Sequence, residues 1–322
     1  MNHKFMWAYL IHLSTHMWQD ETAEPGGTWY AGKPYDENNN VHMETWDATI
    51  KYLAECKYNT VLIDVGDAVK YESHPEISAP DAWDKDFLKK KLDEMRALGI
   101  TPIPKLNFSC GHMTWLKEYT RMISTPTYYK VCADLIKEVC ELFNSPEYFH
   151  IGFDEEVARK QGGREKIIIR GEKLWWHDLF YLAGECEKNG ARPWMWSDYF
   201  WERGNEEIFL KNMSKSILQS NWFYPYFQEW PEDHPKRYGF RIKTYEIFDE
   251  MGYDQVPTAS TVLNNFNPVQ TCAFCKEKLN PEHLLGIMTA PWFMTTEANK
   301  HSLMNDVYRL YLGRKKYYPE TL

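Results

Sequence analysis

The sequence predicts an α/β fold: one (β/α)8 TIM barrel forming a single domain over residues 1–322. Three observations predict it. Short apolar runs alternate with amphipathic stretches from end to end, which gives repeated strand–helix units and so a parallel sheet with helices outside it. About eight such units fit into 322 residues, which suits a closed barrel with extra loops better than an open doubly wound sheet. The fingerprints of nucleotide-binding sheets are absent: no G-x-G-x-x-G follows the first strand, and no G-x-x-x-x-G-K-[ST] occurs.

The elements follow in order. Residues 5–13 are an apolar run, read as a strand, and 45–56 carry apolar positions at helical spacing. Residues 60–65 are β-branched, a buried strand. In 84–98, Phe87, Leu88, Leu92 and Met95 share one helix face; Asp84 can cap the start, and Gly99 stops it. Residues 100–106 follow as a strand. Thr125 before Pro126 starts a helix over 126–143. Residues 148–153 form a strand, and 166–188 a long helix ending at Asn189-Gly190. The remaining strands are expected at 193–196, 217–222, 255–263 and 285–288, and the remaining helices at 206–213, 242–251, 269–279 and 303–312.

Composition narrows the function. Hydrophobic residues at 43% and charged residues at 26% supply a core and argue against disorder. A net charge of −9, from 37 Lys+Arg against 46 Asp+Glu, argues against a nucleic-acid partner, which needs clustered positive charge. Aromatics reach 16%, with 14 Trp. Indole faces suit the C–H faces of sugar rings, and they equally suit a Trp-rich core. No apolar run is long enough to span a membrane. Residues 5–13 are short, hold a His and lack a small-residue cleavage site, so they read as a strand and not as a signal peptide. The compartment is left open between the cytoplasm and export with a removed signal.

Seven scattered cysteines are not a disulfide framework. Cys272 and Cys275 form a C-x-x-C with no second pair or His cluster to complete a zinc set, so they read as helix cysteines. His150 and Asp154 lie four apart on a strand, where that spacing does not converge on one ion; His283 and His301 lack matched partners. No metal or cofactor is therefore expected. The adjacent Trp175 and Trp176 read as packing of a helix against the barrel.

In such a barrel, chemistry sits where strands end and loops begin. The polar residues just past the predicted strands are His12 and His16; Asp64 and Asp67; Asn107 and His112; Asp154, Glu155 and Glu156; Ser197 and Asp198; Asn221; Asn264; and Glu297. Trp196, Trp222 and Trp292 stand at three of the same ends. Carboxylates, His, amides and Trp at one mouth suit acid/base work on a neutral polar ligand. Phosphate is disfavoured, because Arg and Lys are nearly absent from the set. The sharpest segment is Tyr148-Phe149-His150-Ile151-Gly152-Phe153-Asp154-Glu155-Glu156, an apolar strand ending in three acids. Neighbouring strand residues point to opposite faces, so Asp154 and Glu155 share a pocket only if the chain turns there. A solvated acidic loop is the alternative. Glu156 is expected to face solvent or cap the next segment, and it becomes the acid if the register shifts by one.

This segment resembles the H-x-G-G-D-E motif of family 20 glycoside hydrolases, the β-N-acetylhexosaminidases. Ile103-Pro104-Lys105-Leu106-Asn107-Phe108-Ser109-Cys110-Gly111-His112 is similar to that family's I-P-E-x-D-x-P-G-H, with Lys, Asn and Cys substituted. His74-Pro75-Glu76-Ile77 resembles its Y-P-E-L, and Asp67 falls where the family has the first Asp of H-L-x-D-D. The resemblance runs in order from about Asn59 to Trp292.

It implies a retaining, substrate-assisted glycosidase, in which the 2-acetamido oxygen of the sugar attacks C1. Asp154 would stabilise the acetamido nitrogen, and Glu155 would be the general acid/base. His112 and Asp67 would be hydrogen-bonded behind Glu155. The donor would need a raised pKa and its neighbour would stay charged. Trp196, Trp222 and Trp292 would wall the sugar.

The departures are specific. The family's first strand ends in an Arg that grips sugar hydroxyls; residues 5–18 hold none, leaving His12, Ser14 or His16. Phe153 fills a position that is normally small and is expected to narrow the pocket floor. The family's seventh-strand Tyr is missing, which leaves Asn264; its W-x-E is stretched here to Trp292 and Glu297. Asp198 is a further candidate sugar contact. The 322 residues hold no counterpart of the α/β domain that usually precedes this barrel. The expected ligand is a carbohydrate, a terminal β-linked GlcNAc or GalNAc. The alternatives are the same chemistry on a modified or differently linked hexosamine, and a catalytically silent barrel that binds glycans.

Overall fold

Every residue of the first strand, β1 (Met6–His12), is buried. Trp7, Tyr9 and Ile11 belong to the large apolar core under the helices. Met6, Ala8 and Leu10 belong to a separate cluster with Leu62, Ile103, Trp194, Leu218 and Met288. A strand buried on both faces has helices on one side and a filled interior on the other.

The remaining strands are β2 (Thr60–Asp64), β3 (Thr101–Lys105), β4 (Tyr148–His150), β5 (Arg192–Trp196), β6 (Leu218–Ser220), β7 (Thr258–Ala259) and β8 (Gly286–Thr289). All pairings between them are parallel, in the order β6-β5-β4-β3-β2-β1-β8-β7. Bridges Gln219↔Gln255 and Trp222↔Thr258 join the two ends of that order. The Val256 N–H donates to the Gln219 carbonyl and the Thr258 N–H to the Asn221 carbonyl, each at 2.9 Å. The ring is closed as a (β/α)8 barrel.

The computed structural model describes residues 4–17, 36–161, 167–202, 204–231 and 233–322. Between the strands lie α1 (Met43–Glu55), α2 (Lys85–Ala97), α3 (Pro126–Leu142), α4 (Glu172–Lys188), α5 (Glu206–Asn212), α6 (Tyr238–Glu250) and α7 (Asn267–Lys278); α8 (Lys300–Tyr317) follows the last strand. The predicted caps form: Asp84 accepts the Phe87 N–H, and Thr125 accepts that of Tyr128. No described helix is long and apolar enough to cross a membrane. Cys272 and Cys275 are buried in α7, and Gly313 of α8 packs directly on Cys272. Trp175 stacks on Tyr199 at 3.7 Å, so the Trp pair packs α4 inward.

Three boundaries depart from expectation, each for a local reason. The strand expected over 148–153 stops at His150, because the chain turns at Gly152. The strand expected over 255–263 is regular only at Thr258–Ala259, since Pro257 has no N–H for the ladder. The helix expected from 166 begins at Glu172, with residue 166 itself outside the described residues. That late start leaves Arg170 outside regular structure, with its side chain turned into the core.

Candidate active site

The site is built on the turn after β4. Gly152 (φ 76°), Phe153 (φ 72°) and Glu155 (φ 57°) all lie in the left-handed region. Two of these are not glycine, so the turn is strained and must be held by its surroundings. It brings both acids to one side. Asp154 Oδ2 lies 3.4 Å and Glu155 Oε2 3.5 Å from Nε2 of His112. An extended strand would have separated them.

Neighbouring elements hold the turn. Asn107 Nδ2 donates to Asp154 Oδ1 at 3.0 Å, and the Ser109 hydroxyl donates to the Asp154 carbonyl. Asp198 Oδ2 accepts the Glu155 N–H at 2.8 Å. Phe153 does not narrow the pocket floor as expected. Its ring is buried outward against Trp175 at 5.4 Å, with the Arg170 guanidinium 4.8 Å from its centroid. The left-handed φ is what turns it that way.

The acids differ in environment. Glu155 is partly exposed, and Lys160 Nζ lies 2.6 Å from its Oε1. Burial works to raise its pKa, but His112 and Lys160 outweigh burial and hold the carboxyl at about 2. Asp198 goes the other way. It is buried, and burial together with the Asp154 charge pushes its pKa well above the usual range, against the Glu155 N–H bond. The raised carboxyl expected at Glu155 is therefore found at Asp198, because His112 and Lys160 hold Glu155 down while burial and the Asp154 charge lift Asp198.

Glu156 does not face solvent. Its carboxylate is buried in an ion pair with Arg170 and accepts the Cys110 N–H at 3.0 Å. Burial lifts its pKa despite Arg170. Arg170 also reaches Asp178 at 2.7 Å, the Phe108 carbonyl at 3.1 Å and the Tyr128 hydroxyl at 2.9 Å. One guanidinium thus ties the loops after β3 and β4 to α3 and α4.

The expected relay from Asp67 through His112 to Glu155 is not formed. Asp67 Oδ2 pairs with His16 Nδ1 at 2.5 Å and with Lys117 Nζ at 3.4 Å. Its Oδ1 accepts from Ser14 Oγ at 2.8 Å. Nearer donors on the loops after β1 and β3 have claimed it, and His112 Nδ1 has no hydrogen-bond partner among the described residues. Burial opposes a charged His16, but Asp67 and the Asp36 carbonyl raise its pKa nonetheless.

Beneath the mouth lies a second buried polar layer. Lys105 Nζ meets Asp64 Oδ2 at 2.5 Å, and His12 Nδ1 is 3.4 Å from the same oxygen. His150 Nδ1 accepts the Gly152 N–H at 3.1 Å. Burial and then Lys105 push the His150 pKa well below its usual value. Cations are thus less scarce here than the strand ends alone indicated. Lys105, Lys117 and Lys160 all reach the site, each against a carboxylate.

The aromatic residues form one wall. Trp196 is buried, 4.5 Å from the His150 ring and 5.7 Å from Trp292. Trp292 (φ 58°) is 6.3 Å from Tyr224, which stacks on Trp222 at 5.1 Å. Trp222 Nε1 donates to Asp198 Oδ1 at 3.5 Å. Tyr224 was missed from sequence, although it lies two residues beyond Trp222, where the strand period returns to the same face. Lys160 carries no such signal, because it sits in a short 3-10 turn (Ala158–Lys160) with no periodicity to place it.

Other candidates are placed elsewhere. Asn264 is locked into its own loop, accepting the Phe266 N–H and donating to Gln270. Glu297 is exposed at the start of a 3-10 turn (Glu297–Asn299), with no side-chain contact to the acids. Asn221 accepts from Trp201 Nε1 and donates to the Arg241 carbonyl, which fixes the barrel wall. Ser197 bonds Gln219. Residue 18, the end of the stretch read as lacking an Arg, lies outside the described residues.

No family model matches this chain, and no curated protein matches it in sequence. Solved structures do match. A family 20 exo-β-N-acetylglucosaminidase from Vibrio harveyi, in complex with N-acetylglucosamine, superimposes with a TM-score of 0.61 at 14% identity, covering 99% of this chain and 58% of that one. A Flavobacterium johnsoniae chitobiase gives 0.57 at 18% identity, covering 98% of this chain and 53% of that one. Dispersin B gives 0.59 at 13% identity, covering 98% and 99%. The chain spans little more than half the length of the first two proteins and nearly all of Dispersin B. At these identities the likeness is one of fold: this chain has the barrel of family 20 glycosidase structures.

Proposed function

We propose that this protein is a glycoside hydrolase of family 20 type that releases a terminal β-linked N-acetylhexosamine with retention of configuration. The observation that carries the reading is the meeting of Asp154 and Glu155 at Nε2 of His112, produced by a strained turn beside the Trp196–Trp292–Tyr224–Trp222 wall. A binding surface has no need of such a pair, whereas substrate-assisted hydrolysis needs two carboxyls with different tasks.

Each residue has a role in this reading. Asn107 holds Asp154 by one oxygen, leaving its other oxygen to hold the acetamido N–H as the amide oxygen attacks C1. A fixed carboxylate there stabilises the positive charge that develops on the oxazolinium ring. Glu155 gives its proton to the departing oxygen and then takes one from the incoming water. His112 keeps the two carboxyls in register. The aromatic wall packs the apolar face of the pyranose.

A modified or differently linked hexosamine is the second reading. Two observations favour it: the described part of the first strand and its loop has no Arg to grip hydroxyls, and Asn264 is held away in its own loop. Turnover of aryl β-N-acetylglucosaminides and galactosaminides by the wild type, lost in Glu155→Gln and Asp154→Asn, supports the first reading. Release of product from complex glycans but not from aryl glycosides supports the second. No hydrolysis of either class refutes both.

A further inference from the structure

The proton donor of the proposed reaction is held by a cation in the resting protein. Lys160 Nζ lies 2.6 Å from Glu155 Oε1, and His112 Nε2 lies 3.5 Å from Oε2. Both carboxylate oxygens therefore face donors, and a carboxylate so placed does not readily take up a proton. Lys160 is not buried with its partner: its side chain is 34% exposed, and the ammonium stands 5.9 Å from the Trp222 ring. It lies between the acid and the last ring of the aromatic wall, and since the acid of the proposed reaction gives its proton to the oxygen of the leaving sugar, that sugar is the one within reach of Lys160. The adjacent Arg159 is engaged with Glu202.

We propose that Lys160 is a specificity residue that binds an anionic group, a sulfate ester or a carboxylate, on the sugar adjoining the scissile bond, and that this binding frees Glu155 to be protonated. The inference rests on the reading of Glu155 as the acid. The step balances without a further reactant. The ammonium exchanges the Glu155 carboxylate for the ligand anion and keeps its own charge. Glu155 takes a proton from solvent, and that proton passes to the glycosidic oxygen as the C1–O bond breaks. A neutral ligand offers Lys160 no replacement partner, so the ion pair opposes loading of the acid. The anion thus sets the rate of the chemical step as well as the affinity.

The test reads Glu155 directly, apart from turnover. In protein labelled with carboxyl-13C glutamate, its resonance is assigned by loss in Glu155→Gln and titrated in wild type, Lys160→Met and Lys160→Arg. Wild type and Lys160→Arg should titrate low, and Lys160→Met should move up by about 2 pH units, since an opposite charge at this range is worth one to three. The titration is repeated with three non-hydrolysable thioglycosides of N-acetylglucosamine whose second sugar is neutral, sulfated or a uronic acid. The charged ligands should raise the Glu155 midpoint in wild type, and the neutral one should not. Response to one charged ligand alone identifies the anion. In hydrolysis of the matching O-glycosides, wild type should prefer the charged substrate, and Lys160→Met should lose that preference, a change of up to about a hundredfold, the equivalent of the 2 pH units in the acid. An unchanged titration in Lys160→Met, or no greater shift with charged than with neutral ligand, overturns the proposal. A Glu155 that responds as described in a protein that cleaves no glycoside overturns the glycosidase reading, and with it the part of Lys160 in specificity, and leaves only the exchange of Glu155 for a ligand anion at Lys160 standing.

Discussion

Asn107 and Gly152 are packed so closely that a Cβ on residue 152 would overlap the Asn107 side chain. The same Asn107 donates to Asp154 Oδ1 at 3.0 Å and accepts the Ser109 N–H at 3.0 Å. The glycine is thus required twice: for its φ of 76° and for the space that lets Asn107 reach the acid.

Gly152→Ala should therefore destabilise the protein by roughly 3 kcal/mol, from left-handed strain and the displaced amide together. Turnover should fall with it. Adding Asn107→Ala should recover part of the stability, because the overlap is relieved, but none of the turnover, because Asp154 loses its anchor. Urea unfolding and initial rates on the three variants check this. Recovery of rate in the double variant would show that Asn107 has no part in placing Asp154.

Arg170 is the second point of control. Arg170→Met leaves the Glu156 carboxyl buried without its ion-pair partner, a change worth about 4 kcal/mol in comparable buried pairs. Burial already lifts Glu156 above its ordinary value, and removing the guanidinium lifts it further. The folded state then keeps a proton that the unfolded chain has released, so the loss of stability grows as pH rises above the unfolded value. Glu156→Gln in the same background should remove the Glu156 share of that pH dependence and leave only the share of Asp178, which loses the same guanidinium. Denaturant midpoints across pH for the single and double variants decide it, and a flat profile for Arg170→Met would contradict the account.

Asp306 on α8 gives a pH effect away from the site. It is fully buried, accepts the Thr261 N–H at 2.7 Å and the Thr289 hydroxyl at 2.5 Å, and is pushed by burial to about 6. A carboxyl raised on folding favours the folded state while it is protonated. Its contribution is full below the unfolded value and is lost as pH rises from about 4 to about 6, by roughly 3 kcal/mol. Asp306→Asn keeps the Thr261 bond at its oxygen and reverses the other, its amide donating to Thr289 Oγ1 while that hydroxyl turns to the Ala259 carbonyl, and it should flatten stability over that window. Thermal unfolding of both proteins from acid to neutral pH measures it.

Most of the barrel was legible because its signals are local. Asp84 and Thr125 cap where expected, and the alternation of Met6, Ala8 and Leu10 with Trp7, Tyr9 and Ile11 maps onto interior and exterior. The convergence of Asp154 and Glu155 was legible only as a condition, that the chain must turn, and the left-handed residues at 152, 153 and 155 meet it. What the sequence could not supply was pairing across loops. Lys160 on Glu155, Arg170 on Glu156 and His16 on Asp67 join residues on irregular chain, where no periodicity says which way a side chain points. Those pairings decide the charge state of the acids, and so the raised carboxyl was expected at Glu155 and lies at Asp198.

A crystal structure with an N-acetylglucosamine-derived thiazoline tests the central claim most directly, because that ligand imitates the cyclised sugar. The account predicts the thiazoline nitrogen within hydrogen-bond distance of Asp154, the Glu155 carboxyl beside C1, and the ring packed on the wall from Trp196 to Trp222. A thiazoline bound away from Asp154, or excluded from the barrel mouth at saturating concentration, would contradict it.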